Sequence, residues 1–428
     1  MAAQDLPYDV IGLIVTQLKQ ILQDELRAKR RFPDARLAPY AAICKSWNPA
    51  IERETFRKLK LSDKRMESAE RALQKDPARR LAMKRISFEI NYPSSISRRR
   101  DLGERQVVER DAAFSRRLLR LFRFLECVGN SGVHRAENLT LELDVTSYSV
   151  NPEDKDGQAI EESDSDLDSD SDSDDEEAGT RFKYDPTHLR YVGEALPTIC
   201  CVQGFEFPRN GANIWSSTFT TILMAMDGLE YCNIAFDDAQ TLDPGTRVRY
   251  RKALGETLCK IPPTCKGFHA NFEHQSDGIN APSAYDPSSL DMLSVGMRNL
   301  STQLVELSLD SLAISPSLFW PDDAEDAAAP YWPRLQHVYV NYAPTLASGE
   351  WLVQADEEEE AEPARKKRPL FAESLDRPVL DCERTNRLFL AIGKATRNMP
   401  ALQEMELEMS KELSSEFHFR AARFTGPY

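Results

Sequence analysis

The chain has 428 residues, of which 41% are hydrophobic, and its net charge is −15. Residues 152–177 contain 14 acidic residues and one lysine, so the rest of the chain is nearly neutral. This distribution argues against nucleic-acid binding, which needs a basic domain, and no apolar run reaches the roughly 20 residues of a membrane span. The eight cysteines have no repeating framework, which predicts reduced thiols in the cytoplasm or nucleus.

The first predicted helix begins near Pro7. Apolar residues recur at helical spacing from Ile11 to Leu22, and proline suits a first turn, where a missing N–H is no loss. The run is too short for a membrane span, and it lacks the basic leader and cleavage site of a secretory signal. We therefore predict an amphipathic helix that packs against another surface.

Two further short helices are predicted within residues 37–59. Pro39 can start the first of them, and Asn48 followed by Pro49 is a cap and proline that can start the next. Residues 1–60 are therefore predicted to form a compact domain of three short helices.

This N-terminal pattern resembles the F-box. Leu6-Pro7 opens the apolar helix, and the small-residue helix ends at Ile43-Cys44-Lys45-Ser46-Trp47, similar to the LP start and VC-x-x-W end of that motif. The link at residues 19–31 is longer than in a typical F-box. The resemblance, to fungal F-box proteins, implies binding to a Skp-type adaptor and through it to a cullin. The implied adaptor-binding residues are Leu6, Pro7, Ile11, Ile14, Ile43 and Trp47.

A six-residue pattern, apolar-x-x-apolar-x-apolar, recurs after residue 60. It starts at Met83, Val202, Leu229, Cys265, Leu304, Leu335 and Leu402, and in part at Asn138. Helices are predicted between several of these strands, at Phe114–Cys127, Ile214–Met226, Val248–Leu258, Leu290–Leu300 and Leu388–Thr396. A strand and a helix every 27 to 39 residues resemble an irregular leucine-rich repeat. An ordinary α/β or α+β domain is the alternative, because so short a pattern also occurs by chance.

Two charged insertions interrupt this region, and both are predicted to be disordered. Residues 152–180 combine negative charge with few apolar side chains, and residues 355–376 hold an acidic run before Arg365-Lys366-Lys367-Arg368. Ser-Asp pairs in the first insertion resemble acidophilic kinase sites, or belong to an unmodified solvated spacer. The basic run is either a nuclear import signal or charge balance for the acidic run.

The predicted fold class is therefore α/β. A short three-helix F-box-like motif in residues 1–60 precedes an irregular leucine-rich-repeat-like α/β solenoid in residues 61–428, with disordered acidic insertions.

No catalytic motif is recognisable. Cys259, Cys265, His269 and His274 are spaced C-x5-C-x3-H-x4-H, unlike the short cysteine spacing of structural zinc sites. Cys265 also falls on an inward strand position, where a reduced cysteine acts as a small hydrophobe. The sequence has no glycine-rich phosphate loop, H-E-x-x-H or G-x-S-x-G elbow. We predict no enzymatic activity, cofactor or metal.

The residue between the last two apolar positions of each strand is predicted to point away from the core. These residues form a predicted substrate-binding surface, which comprises Glu142, Glu206, Asn233, His269, Tyr339 and Glu406. Acidic side chains are frequent at these positions and just past the strands, and none is Lys or Arg. Such a surface favours a basic protein partner. The alternative is that these are merely solvent-facing residues.

Together these features predict the substrate-recognition subunit of a cullin-RING (SCF-type) ubiquitin ligase. The Skp-type adaptor would bind the N-terminal helices, and a protein substrate would bind the repeat region. The alternative is a repeat-based interaction scaffold with no ubiquitin role. Neither hypothesis involves nucleic acid or a membrane.

Overall fold

A computed structural model describes residues 7–28, 37, 39–40, 45, 47–93, 104–129, 139–148, 188–208, 214–236, 238, 244–272, 285, 290–321, 329–354 and 379–409. The insertions predicted at residues 152–180 and 355–376, with their Ser-Asp pairs and basic run, lie outside these described residues.

The first third of the chain mixes helices with three strands. Its elements are α1 (Tyr8–Ala28), α2 (Trp47–Arg57), β1 (Lys58–Ser62), α3 (Met66–Lys75), α4 (Pro77–Ala82), β2 (Arg85–Pro93), α5 (Glu104–Gly129) and β3 (Leu139–Tyr148).

Strands and helices alternate through the remainder. The elements are β4 (Val202–Phe207), α6 (Ser216–Met224), β5 (Tyr231–Phe236), α7 (Pro244–Leu258), β6 (Gly267–Phe272), α8 (Met292–Ser301), β7 (Glu306–Leu312), a 3-10 turn (Pro316–Leu318), β8 (His337–Tyr342), β9 (Val353–Gln354), β10 (Val379–Leu380), α9 (Cys382–Thr396) and β11 (Glu404–Met409). The five helices and eight strands predicted after residue 60 correspond to α5 through α9 and to β2 through β8 and β11.

Nine strands form one open parallel sheet, and their order in the sheet is their order in the chain, from β1 through β8 to β11. The short strands β9 and β10 pair separately and antiparallel. Connections between parallel strands are almost always right-handed. An order that never reverses therefore brings the connecting helices that the structure describes to the same face of the sheet.

The core lies on this helix-covered face. In β5, Cys232, Ile234 and Phe236 are buried whereas Tyr231 and Asn233 are exposed. The same alternation occurs in β8. The first apolar residue of the six-residue pattern is also buried, as at Leu229, Leu304 and Leu335. The pattern in the sequence therefore marks the inward side chains of each strand and the residue that leads into it.

The N-terminal helices have a small core of their own. Its buried members are Ile11, Val15, Leu37, Trp47, Ala50 and Ile51, and they are separate from the sheet's core. Residues 19–28, predicted as part of a link, instead continue α1. The second of the three predicted helices falls mostly outside the described residues. Strand β1 starts at Lys58, so the sheet begins slightly before the predicted boundary at residue 60.

A buried ionic network joins α7 to α8. Arg251 Nη1 donates to Asp238 Oδ2 at 2.5 Å, and its Nη2 donates to Asp291 Oδ2 at 3.1 Å and to the Ala313 carbonyl at 3.0 Å. Arg247 donates to both carboxylate oxygens of Asp238, at 2.9 and 3.3 Å. All four charged side chains are at most 2% exposed. Charges this deeply buried are tolerated because each is paired.

The same two helices make a close backbone contact at two glycines. A Cβ atom at Gly255 would lie 1.9 Å from the Met292 carbonyl oxygen, and one at Gly296 would lie 2.3 Å from the Gly255 carbonyl oxygen. Backbone atoms cannot swing aside as a side chain can. The approach of α7 to α8 therefore requires glycine at both positions.

We expect Gly255→Ala to lower the free energy of unfolding by about 2–3 kcal/mol, because the added methyl group forces the two helices apart. Gly393 of α9 is a matched control, since no atom lies within 4 Å of a Cβ placed there. Gly393→Ala should instead stabilise the protein by about 0.5–1 kcal/mol through helix propensity. Chemical denaturation measures both values, and equal effects would contradict the close contact.

Candidate protein-interaction surfaces

Helix α1 has a buried apolar stripe that packs on α2. Ile11 and Val15 are completely or almost completely buried, and Leu18 and Leu22 pack around them. Lys19 of α1 forms a 2.7 Å ion pair with Glu54 of α2. These contacts fix the rotation of α1 about its axis.

Helix α1 also has a second apolar stripe, which is exposed. It consists of Val10, Leu13, Ile14 and Ile21, whose exposed fractions are 38%, 68%, 37% and 54%. Spacings of three, four and seven residues place these side chains along one side of the helix, next to the buried stripe. Contiguous exposed apolar side chains of this kind mark an interaction surface. We call these four residues the α1 stripe.

The structure divides the predicted adaptor-binding residues into two sets. Ile11 and Trp47 belong to the N-terminal core and hold α1 against α2, so they present little surface to a partner. Pro7 and Ile14 are exposed, whereas Leu6 and Ile43 lie outside the described residues. The sequence analysis did not identify Val10 and Leu13. The buried and exposed stripes of α1 have the same helical spacing, so the sequence does not separate them.

The face of the sheet opposite the core is lined by the outward strand residues. The strand register places all six predicted substrate-binding residues in one row across this face. The middle row, from β1 to β11, is Lys60, Ser87, Glu142, Glu206, Asn233, His269, Ser308, Tyr339 and Glu406. Their side chains keep part of their surface in solvent, as the 26% exposure of Glu142 and the 36% exposure of His269 illustrate.

The open face also has basic residues, at positions other than the predicted substrate-binding residues. Arg85 lies two residues before Ser87 and shares its side of β2, and Lys58 and Lys60 occupy β1. Arg85 Nε donates to Glu142 Oε2 at 3.0 Å, and its Nη2 bonds to Glu206. Two of the predicted acidic residues are therefore neutralised within the chain. The prediction had considered too few outward positions on each strand to include Arg85.

The negative charge concentrates at the other end of the open face. On β7 and β11 the outward acidic residues are Glu306, Asp310, Glu404, Glu406 and Glu408, and we call them the acidic half. Glu408 is the buried member of this set, at 8% exposed. Along β6, β7, β8 and β11, none of the outward residues that the structure describes in these rows is Lys or Arg. The open face is therefore polarised, with its basic side chains at β1 and β2.

Histidine and tyrosine side chains lie among these carboxylates. His269 Nε2 is 3.2 Å from Glu306 Oε1, and the Tyr339 hydroxyl donates to Glu408 Oε2 at 3.1 Å. Burial raises the pKa of Tyr339 to about 12, helped by this hydrogen bond and by the charges of Glu408, Asp310 and Glu406. A depression of about 110 Å³ here is lined partly by Ser308, His337, Tyr339 and Glu404. The site combines aromatic and carboxylate groups, which suits a cationic side chain.

The two cysteines considered as zinc ligands differ in burial. Cys265 is buried and Cys259 is exposed, while His274 lies outside the described residues. Burial raises the pKa of Cys232 well above its usual value, and the neighbouring Cys265 thiol adds to the shift. In the part of the chain that the structure describes, no three His, Cys, Asp or Glu side chains are grouped to hold a metal ion. Nor does any helix described there combine the length and hydrophobicity needed to cross a bilayer.

Comparison of the chain with protein-family models, curated proteins and solved structures finds no match. The α1 stripe and the open face of the sheet are therefore the features that indicate a function.

Proposed function

We propose that the protein is the substrate-recognition subunit of a cullin-RING (SCF-type) ubiquitin ligase. Its N-terminal helices bind a Skp-type adaptor, and the open face of its sheet binds a protein substrate. The observation that carries the proposal is the exposed α1 stripe, which follows the Leu6-Pro7 start of an F-box-like segment. Catalysis belongs to the partner subunits, so this chain needs no cofactor, and its place is the cytoplasm or nucleus.

The architecture of the remainder supports this division of roles. A parallel sheet whose strands follow chain order is what an irregular leucine-rich-repeat-like solenoid requires, since each strand–helix unit packs only on its neighbours. Such stacking leaves one broad face of the sheet available. In the proposed complex this face presents the substrate while the adaptor holds α1.

Co-expression of the full chain with a Skp-type adaptor tests the function directly. We expect the adaptor to co-purify through size-exclusion chromatography and to bring a cullin into the complex when one is added. Failure to co-purify would exclude the ligase role.

The alternative function is an interaction scaffold with no ubiquitin role. The specific observation in its favour is the polarised open face, which can hold a partner whether or not an adaptor binds α1. Under this alternative the adaptor does not co-purify, yet a basic partner is still captured.

We infer that the substrate presents a basic segment to the acidic half. Glu306→Lys combined with Glu406→Lys should weaken binding of a lysine-rich peptide roughly tenfold, because each reversal replaces an attraction by a repulsion. Most of the salt dependence of binding should also disappear. Fluorescence anisotropy at several salt concentrations measures both effects.

A matched control uses the carboxylates that Arg85 already pairs. Glu142→Gln combined with Glu206→Gln should change peptide binding much less than the double reversal. If the two double variants weakened binding equally, the acidic half would not be the recognition surface.

A further inference from the structure

Helix α5 carries a row of arginines beside a concave surface. Arg116, Arg117 and Arg120 line a depression of about 290 Å³ together with Ala113 and Asp63. Asp63 comes directly after β1, so the depression lies between α5 and the first strand of the sheet. We call Arg116, Arg117 and Arg120 the arginine groove.

The acidic residues around the groove only partly neutralise it. Arg117 Nε donates to Asp63 Oδ2 at 3.1 Å, while Arg120 lies 3.6 Å from Asp63 Oδ1 and 3.2 Å from Glu67 Oε1. Lys64 and Arg65 follow Asp63 in the chain and are exposed, as is Arg116. The groove and the two residues after Asp63 thus contain five basic side chains, against the two carboxylates of Asp63 and Glu67. The net charge of the region is positive, which favours an anionic ligand.

The last described strand before the acidic tract ends beside this groove. Strand β3 ends at Tyr148, and the hydroxyl of Thr146 near that end bonds to Asn91 of β2. Arg117 Nη1 in turn donates to the Asn91 carbonyl at 2.7 Å. The described chain therefore stops at Tyr148 near the arginines, and residues 152–177 start four positions later in the sequence.

The chain also returns against α5. Arg110 donates to the His188 carbonyl at 3.3 Å, and Ser115 Oγ accepts the Val192 N–H at 2.7 Å. The described residues after the segment 149–187 therefore contact α5 directly, and those before it are linked to α5 through Asn91. Such tethering raises the effective concentration of the tract near the groove, so that individually weak ion pairs add up.

The acidic tract is long enough and negative enough to pair with the arginines of α5. A chain extends by roughly 3.3–3.6 Å per residue, whereas the 26 residues of α5 rise only about 1.5 Å each. The tract can therefore run along the full row of arginines. The net charge of the tract is −13, whereas the net charge of the rest of the chain is −2.

We propose that residues 152–177 occupy the arginine groove of α5 in the same chain. The groove is thus a site for a carboxylate-rich peptide, held by ion pairs to Arg116, Arg117 and Arg120. An external acidic protein has to displace this segment to bind there. The inference stands independently of the proposed ligase function.

Carbodiimide cross-linking of the full chain tests the contact, because this reagent joins a carboxylate to a lysine amine without a spacer. We expect mass spectrometry to find links from the tract to Lys64. Lys252 of α7 and Lys394 of α9 are also exposed, and we expect few links to them. Raising the salt to about 0.5 M should reduce the Lys64 links several-fold, because screening shortens the range of the attraction.

Arg116→Glu combined with Arg120→Glu should also reduce the Lys64 links several-fold. Arg249→Glu combined with Arg387→Glu removes two arginines from α7 and α9 and should leave them unchanged. Arg116→Lys combined with Arg120→Lys keeps the charge, so new links should form at both substituted positions even if the glutamate variant does not fold.

Three results would overturn the proposal. Equal linking of Lys64, Lys252 and Lys394 would mean that the tract has no preferred site. Unchanged Lys64 links in a folded Arg116→Glu, Arg120→Glu variant would exclude the groove. Links between light and heavy chains in an isotopically mixed sample, in place of links within one chain, would assign the occupant to a second copy.

Discussion

Replacing Leu13 and Ile14 by alanine is expected to abolish capture of a Skp-type adaptor while the protein stays folded. Both side chains belong to the exposed α1 stripe, so their truncation leaves no cavity in the core. Apolar anchors at the centre of an interface each contribute about 2 kcal/mol or more. Losing two of them should weaken the complex by roughly a thousandfold. Pull-down followed by isothermal titration calorimetry measures the loss.

Two controls make this result specific. Leu390 of α9 is 66% exposed, almost the same fraction as the 68% of Leu13, and Leu390→Ala should leave capture intact. Ile11→Ala acts on the buried stripe and should lower the free energy of unfolding of the N-terminal helices by about 2–5 kcal/mol. Undiminished capture by the Leu13→Ala, Ile14→Ala variant would rule out the α1 stripe as the adaptor surface.

Removing the central arginine of the buried network should have the largest effect on stability. We expect Arg251→Met to lower the free energy of unfolding by about 3–5 kcal/mol, because Asp238 and Asp291 then lose a buried counter-charge. Three hydrogen-bonding partners of Arg251 lie on different segments, Asp238 before α7, Asp291 before α8 and Ala313 after β7. The loss should therefore loosen the packing of α7 on α8.

Arg249 provides the comparison on the same helix. It is exposed, and its Nη2 donates to Thr246 Oγ1 at 3.0 Å near the helix surface. Arg249→Met should therefore change stability by no more than about 0.5 kcal/mol. Chemical denaturation measures both variants, and we expect the dependence of the free energy of unfolding on denaturant concentration to stay unchanged. Similar values for the two substitutions would show that the buried network contributes little to the fold.

Much of the sheet could be predicted from the sequence, because the position of a side chain along a strand decides which face it occupies. Inward residues such as Ile234 and Val340 recur at a period of two, and buried apolar side chains fix the register. For the same reason Glu206, Asn233 and His269 were correctly expected to line up across neighbouring strands. Strand β1 escaped prediction because its five residues, KLKLS, show only two alternations.

Contacts between distant parts of the chain were decided only by the tertiary structure. Glu142 and Glu206 lie 57 and 121 residues from Arg85, and no local pattern indicates that they share it. Arginine side chains are normally exposed. The packing of α7 nevertheless buries Arg247 and Arg251 together with Asp238 and Asp291. On α1, the sequence determined that the helix is amphipathic. Which of its two stripes faces solvent depended on where α2 packs, because burial is a property of the assembled chain.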